Sequence, residues 1–370
     1  MKIVRPTLLL DEKRCRANIR RMVEKARRNH VSLRPHFKTH QSQEIGRWFR
    51  EEGVTACTVS SVQMAAYFEA DGWKDITVAF PLNPLEVDEI NRMAGSIKLN
   101  LAIVSADGLR QMLPGLKQKV SCFIEIDTGY GRSGVPANDT STIDELLSVI
   151  SASPLLNFQG FLTHAGQSYS CRSGPEIIKV HQQTTALMKK LAAKYRPTNP
   201  DLVVSVGDTP TCSAASDFNE VQEIRPGNFV FYDLMQRGIG SCTNENIAIA
   251  LACPVVAVYP SRNEVIIHGG GVHLSKDFLR QDDGSLMFGQ AVRLTENGWS
   301  LPTGMILKSL SQEHGVLKVS PEDMATIQPG MVLGILPVHS CMTADVMGEY
   351  FTLSGQRISM MTKPGFTKAS

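Results

Sequence analysis

The chain has 370 residues, 42 % of them hydrophobic and 20 % charged, with a formal net charge of +2. That length allows one large domain and a smaller one, and so small a charge gives no broad field to gather nucleic acid or an anionic membrane. Residues 1–10, broken by Lys2, Arg5 and Pro6, are too short and polar for a secretory or membrane segment, and the eight scattered cysteines lack a CxxC pair, so reduced thiols in the cytoplasm are expected.

Residues 7–10 read as a short strand. Ile19, Met22, Val23 and Ala26 then repeat at i, i+3, i+4 and i+7, the spacing of one helix face. From there the pattern alternates. Strand-like runs fall at 31–37, 56–59, 76–79, 99–104, 121–126, 157–163, 202–206 and 223–231, with helical patterns between them, the longest at 175–195. Eight such units predict a parallel (β/α)₈ barrel, with a doubly wound open sheet as the alternative. Pro35 sits awkwardly inside the first run, because a central strand needs its N–H. After Gly238-Ile239-Gly240 the character changes. Runs at 247–259, 264–268, 290–295, 305–310, 331–336 and 350–360 are β-type and separated by Gly, Asn and Pro turns. The expected organisation is an α/β barrel over 11–240 and a C-terminal β-rich domain over 241–370, joined by residues 1–10.

Five stretches carry candidate chemistry. Arg34-Pro35-His36-Phe37-Lys38-Thr39-His40 ends the first run. On a strand Arg34, His36 and Lys38 share one face and Phe37 the other. An enclosed lysine there can lose its proton by desolvation and form an imine with a carbonyl compound; the alternative is a surface lysine beside a histidine-rich turn. Gly129-Tyr130-Gly131-Arg132-Ser133-Gly134 formally matches GxGxxG, but Val135-Pro136-Ala137-Asn138 does not open the helix that a dinucleotide site requires, and a barrel loop presenting Arg132 suits it better. Ser205-Val206-Gly207-Asp208-Thr209 and Arg225-Pro226-Gly227-Asn228 follow or occupy the seventh and eighth runs, where barrel loops commonly hold a phosphate; ordinary turns are the alternative. In Pro337-Val338-His339-Ser340-Cys341 an extended chain would put His339 and Cys341 on one face. An imidazole and a thiolate could then share an open divalent ion, or the pair could be a core cysteine beside a satisfied histidine. His314 is either a further polar wall or a turn residue.

Taken together, Pro35-His36-Phe37-Lys38-Thr39-His40, Asp127-Thr128-Gly129-x-Gly131-Arg132-x-Gly134, Thr163-His164-Ala165-Gly166-Gln167-Ser168-Tyr169, Arg225-Pro226-Gly227-Asn228 and Pro337-Val338-His339-Ser340-Cys341 resemble the pyridoxal-phosphate enzymes of alanine-racemase-like fold, most closely the group of D-serine dehydratases and D-threonine aldolases. The resemblance runs in order from about residue 5 to residue 350. It implies a cofactor-bearing barrel, a C-terminal β-domain and a homodimer. By position, Lys38 would carry pyridoxal 5'-phosphate as an imine, with His164 and Tyr169 in the same site. Arg132 would lie near the ring oxygen, Ser205, Gly207, Thr209, Gly227 and Asn228 would surround the phosphate, and Arg225 matches the arginine that faces the pyridine nitrogen in alanine racemases. His339 and Cys341 would bind the metal.

Two positions separate the branches of that group. Aldolases carry His-x-Asp where this chain has His339-x-Cys341 and a histidine base where it has Tyr169, so the resemblance implies a dehydratase acting on D-serine or a related D-3-hydroxy amino acid. A thiolate ligand favours zinc over manganese or magnesium. The amine of Lys38 would act as base at the α-carbon and the ion would stabilise the departing hydroxyl, whereas an aldolase needs a base at the hydroxyl itself, a poor role for Tyr169 at neutral pH. A retro-aldol enzyme and a non-catalytic cofactor-binding protein are the alternatives, the latter disfavoured by the β-domain. Racemisation would need a second base that the sequence does not reveal.

Overall fold

In a computed structural model the described residues are 2–302 and 304–362. Residue 1 and residues 363–370, which the sequence reading assigns to the second domain, lie outside them. Eight parallel strands form the first sheet: β2 (Ser32–Leu33), β3 (Ala56–Val59), β4 (Asp75–Pro81), β5 (Lys98–Ile103), β6 (Val120–Asp127), β7 (Leu156–Thr163), β8 (Val203–Val206) and β9 (Glu223–Ile224), with β1 (Thr7–Leu10) preceding them in the chain. They pair in the order β3-β4-β5-β6-β7-β8-β9-β2. A parallel bridge between His36 and Thr58, with Thr58 N donating to Pro35 O at 2.9 Å, joins the last to the first. That closure makes a barrel and excludes the open sheet. Helices such as Gln43–Glu51, Val62–Glu69 and Gly174–Tyr195 follow the strands and bury their apolar faces against it.

Two expected strands are shorter than their apolar runs. The run at 31–37 is regular only at Ser32–Leu33, since Pro35 has no N–H to give, and Phe37–Thr39 coils into one turn of 3₁₀ helix. The run at 223–231 stops at Ile224 before Pro226-Gly227, and Asn228–Val230 is again a 3₁₀ turn. Both turns lie at the C-terminal end of the barrel, where their side chains are offered to a ligand instead of to a neighbouring strand.

The second sheet is built from β1 and from β10 (Ile249–Tyr259), β11 (Glu264–His268), β12 (Gly289–Thr295), β13 (Ile306–Leu310), β14 (His314–Lys318), β15 (Val332–Pro337), β16 (Glu349–Thr352) and β17 (Arg357–Ser359), in the order β11-β14-β13-β12-β15-β10-β1-β16-β17. All pairs are antiparallel except β1 with β16. Leu8, Leu9 and Leu10 of β1 are buried against β10, where Leu8 stands opposite Leu251, so the chain's first strand and its last third share one core. Between β15 and β16 lies the helix Ser340–Met347. The expected extended geometry at 339–341 is therefore replaced: His339 is the N-cap and Cys341 lies in the first helical turn. Among the described residues no helix is long and apolar enough to cross a membrane, and all eight cysteines are free thiols, six of them buried.

Candidate active site

A cavity of about 590 Å³ opens at the C-terminal end of the barrel and is lined both from the barrel and from the helix Ser340–Met347. Lys38, Arg132, His164, Tyr169, Arg225, Gly227, Asn228, His339 and Cys341 all line it.

Phe37 positions Lys38. Its ring is fully buried among Phe49, Phe68, Trp73 and His40, with centroids 4.6 to 5.3 Å away. This aromatic nail turns the neighbouring Lys38 inward. Arg34 takes the inward face as well but lies deeper in the barrel, paired with Glu223 at 2.6 Å and Asp75 at 2.7 Å. Solvent reaches the Lys38 amine through the cavity mouth, yet protein surrounds it on its other sides. Desolvation lowers its pKa most, the Cys341 sulfur works the other way, and the Arg132 charge adds to the lowering.

The resemblance to cofactor enzymes meets a cradle that fits a phosphate. The hydroxyl of Thr209 is buried and has no hydrogen-bond partner among the described residues, an arrangement that costs free energy unless a ligand completes it. Gly207 and Gly227 line the cradle because nothing larger fits. A Cβ at Gly207 would stand 2.9 Å from Cβ of Arg225, and one at Gly227 would stand 2.9 Å from the His36 carbonyl. Ser205 departs from the expected role: its hydroxyl donates to Glu223 Oε1 at 2.7 Å and accepts from Arg225 Nε at 2.7 Å, fully buried below the cavity. Ser205 thus locks Arg225 instead of facing a phosphate. Asn228 also differs. Its Nδ2 donates to Asp233 Oδ2 at 2.7 Å and to Ser340 Oγ at 2.9 Å, so it ties the barrel loop to the helix that carries Cys341.

His164 donates from Nδ1 to the Gly207 carbonyl at 2.6 Å and stays neutral, its pKa pushed down to about 3 by burial and by the charges of Arg132 and Lys38. Tyr130, under the Arg132 guanidinium at 5.5 Å, stands edge-on to that ring at 5.8 Å. The phenol of Tyr169 accepts from Thr209 N at 3.4 Å, and burial, reinforced by the Asp208 carboxylate, raises its pKa far above the ordinary value. It keeps its proton.

On the other wall His339 and Cys341 meet. Burial opposes charge on both, but their mutual hydrogen bond and the Asp277 carboxylate override it. His339 rises to about 11 and Cys341 falls below the ordinary thiol value. Thr39 beside Lys38 lies 3.4 Å from the sulfur, which places amine and thiolate across one small space. Imidazole plus thiolate is a donor set that suits a zinc-like ion with open positions.

Sequence reasoning missed the supports. Asp233 accepts from Ser340 N at 2.9 Å and from Gln236 N at 2.9 Å, fixing the start of the helix Ser340–Met347; Asp277 lies 3.4 Å from His339 Nδ1. Neither has a local signal, because each acts through contacts distant in sequence. A separate group, His268, His273 and Glu313, also brings three possible ligand atoms within 4.8 Å. There, however, His273 Nδ1 accepts from Gly270 N at 3.2 Å, which leaves the proton on Nε2 facing Glu313. One ring nitrogen of that cluster is thus already taken by the backbone. His314 is exposed at the start of β14, paired with His268, and does not line the cavity.

Comparison with known proteins matches these walls. Residues 10–234 match the family described as "Alanine racemase, N-terminal domain", and residues 248–353 that described as "Putative serine dehydratase domain". The chain belongs to the alanine-racemase-like family of pyridoxal-phosphate enzymes. Within that family it is 32 % identical to D-threo-3-hydroxyaspartate dehydratase of Delftia sp., over 94 % of both chains. The solved structure of that enzyme superimposes with a TM-score of 0.88 over 97 % of each chain at 30 % identity, and a cysteine-to-alanine variant of it is described as being in the metal-free form. D-serine dehydratase of Dictyostelium discoideum is 29 % identical over 94 % of this chain and 93 % of its own. D-threonine aldolase of Arthrobacter sp. is 25 % identical over 90 % of this chain and 85 % of its own.

Proposed function

We propose that this chain is a pyridoxal-phosphate- and metal-dependent lyase that eliminates water from a D-3-hydroxy amino acid, D-serine first among the candidates, giving a keto acid and ammonia. The observation that carries the reading is the position of the His339–Cys341 pair across one cavity from the Lys38 amine. On this reading residues 11–240 hold the cofactor and residues 241–370 with 1–10 bring the metal ligands. A homodimer in the cytoplasm belongs to the same reading, and the free thiols suit a reducing compartment.

Lys38 holds the cofactor, and Thr209, Gly207 and Gly227 receive its phosphate, with Arg132, His164 and Arg225 around the ring. Bound pyridoxal phosphate supplies the electron sink that makes the substrate's α C–H acidic. A divalent ion at His339 and Cys341, zinc before manganese or magnesium, supplies a Lewis acid for the departing hydroxyl. Lys38 Nζ, whose pKa desolvation lowers from the ordinary lysine value, is suited to take the α-proton. Burial raises the Tyr169 pKa far above the ordinary phenol value, which makes it a poor base for the hydroxyl proton that retro-aldol cleavage must lose first. This favours elimination over the aldolase alternative.

A product screen over D-serine, D-threonine and D-3-hydroxyaspartate tests the reading. Keto acid and ammonia are expected; glycine and an aldehyde from D-threonine as the main products would replace the dehydratase with the aldolase, and no turnover of any of the three would leave a cofactor-binding protein.

A further inference from the structure

We infer that Asp277 is the positioning residue of the metal centre, holding the Nδ1 proton of His339 so that Nε2 is presented to an ion shared with Cys341. This rests on the reading of His339 and Cys341 as ligands.

The Asp277 carboxylate lies 3.4 Å from His339 Nδ1, while His339, and not Asp277, lines the cavity. The carboxylate is thus behind the imidazole as seen from the substrate space. A free neutral imidazole divides its proton between its two nitrogens and turns about its χ2 bond, and only the tautomer bare at Nε2 can ligate from that side. A carboxylate at Nδ1 selects that tautomer and fixes the ring plane.

The surroundings show that Asp277 is itself held. Ser275 Oγ donates to Asp277 Oδ2 at 2.8 Å and accepts from Asp277 N at 3.3 Å. Ser275 has φ +68, a conformation that residues other than glycine rarely adopt. The turn it makes ends the short helix Gly271–Leu274, whose Leu274 carbonyl accepts from Thr343 Oγ1 at 3.1 Å. Thr343 belongs to the same helix as Cys341. Asp277 and Cys341 are therefore fastened to each other through Thr343, Leu274 and Ser275, and His339 is clamped between them.

The test is a cobalt(II) titration of the full-length, cofactor-loaded protein, following the thiolate-to-cobalt charge-transfer absorbance. Asp277→Ala is expected to weaken cobalt binding about 10- to 100-fold while reaching the same band at saturation. Asp277→Asn, whose side-chain carbonyl can still accept from Nδ1, should recover part of that loss, and Ser275→Ala should show a smaller weakening; these two stand in if the alanine variant does not fold. Unchanged affinity in the Asp277 variants overturns the inference, as does a saturated spectrum altered in the way that loss of a direct ligand would produce. If the wild-type band is absent, or persists in Cys341→Ala, the metal reading itself fails.

Discussion

The two walls of the cavity are made in different ways. On the barrel side the groups that would hold a cofactor come from strand ends, and backbone sets much of their geometry: a 3₁₀ turn for Lys38, glycines at 207 and 227 that admit no Cβ, and a helix start at Thr209. On the side of the antiparallel sheet the proposed metal ligands come from one N-terminal turn, and their places are set by side chains: Asp233 on Ser340, Asp277 on His339, Asn228 reaching across from the barrel. A wall made of backbone can serve any reaction of the cofactor.

That contrast predicts separable losses. Lys38→Ala should have the largest effect, lowering turnover by about 10²–10⁴-fold and abolishing the visible absorption of covalently held cofactor, while metal content measured by mass spectrometry stays near one ion per chain. Loss of the metal as well would mean that the two walls are not independent. Cys341→Ala should lower D-serine elimination by about 10²–10³-fold and lose the metal, with the cofactor spectrum retained. Thr209→Val should cost about tenfold in cofactor affinity, the worth of one hydrogen bond to a charged group, and leave metal affinity alone; titration of the cofactor-free protein reads it directly.

A further effect is on stability. His40 is fully enclosed beside Phe37, its Nδ1 accepting from Ser42 N at 3.1 Å, and burial drives its pKa down to about 3. The unfolded chain takes up this proton from about pH 6.5 downward while the folded one refuses it. Stability therefore falls as pH is lowered from about 6.5 toward 3, by at most about 1.4 kcal/mol per unit from this ring. Urea melts at pH 7 and pH 5 should show the decline, and a His40→Phe variant that keeps the same slope would assign it to other groups.

The alternation of eight apolar runs and helices was legible because period and length carry it, and the residues Lys38, Arg132, His164, Tyr169, Arg225 and Cys341 that the motifs single out line one cavity. What was not legible follows from contacts rather than patterns. The runs containing Pro35 and Pro226 look long because apolar residues continue into 3₁₀ turns. Ser205 reads as a phosphate donor beside Gly207, yet a neighbouring strand supplies Glu223 at the right height to take its proton. The His339-x-Cys341 spacing brings the two side chains together through a helix start, though alternation alone suggests a strand. Asp233 and Asp277 are ordinary loop aspartates until the chain is folded.

The proposed reaction needs an amine from the barrel and a metal at His339 and Cys341 to act on one small amino acid. Its most direct measurement is pyruvate formation from D-serine by the cofactor-loaded protein before chelation, after chelation and after zinc is restored. Turnover that disappears with the chelator and returns with zinc is the predicted result. Elimination at full rate in the chelated protein, with the cofactor still bound, would contradict it.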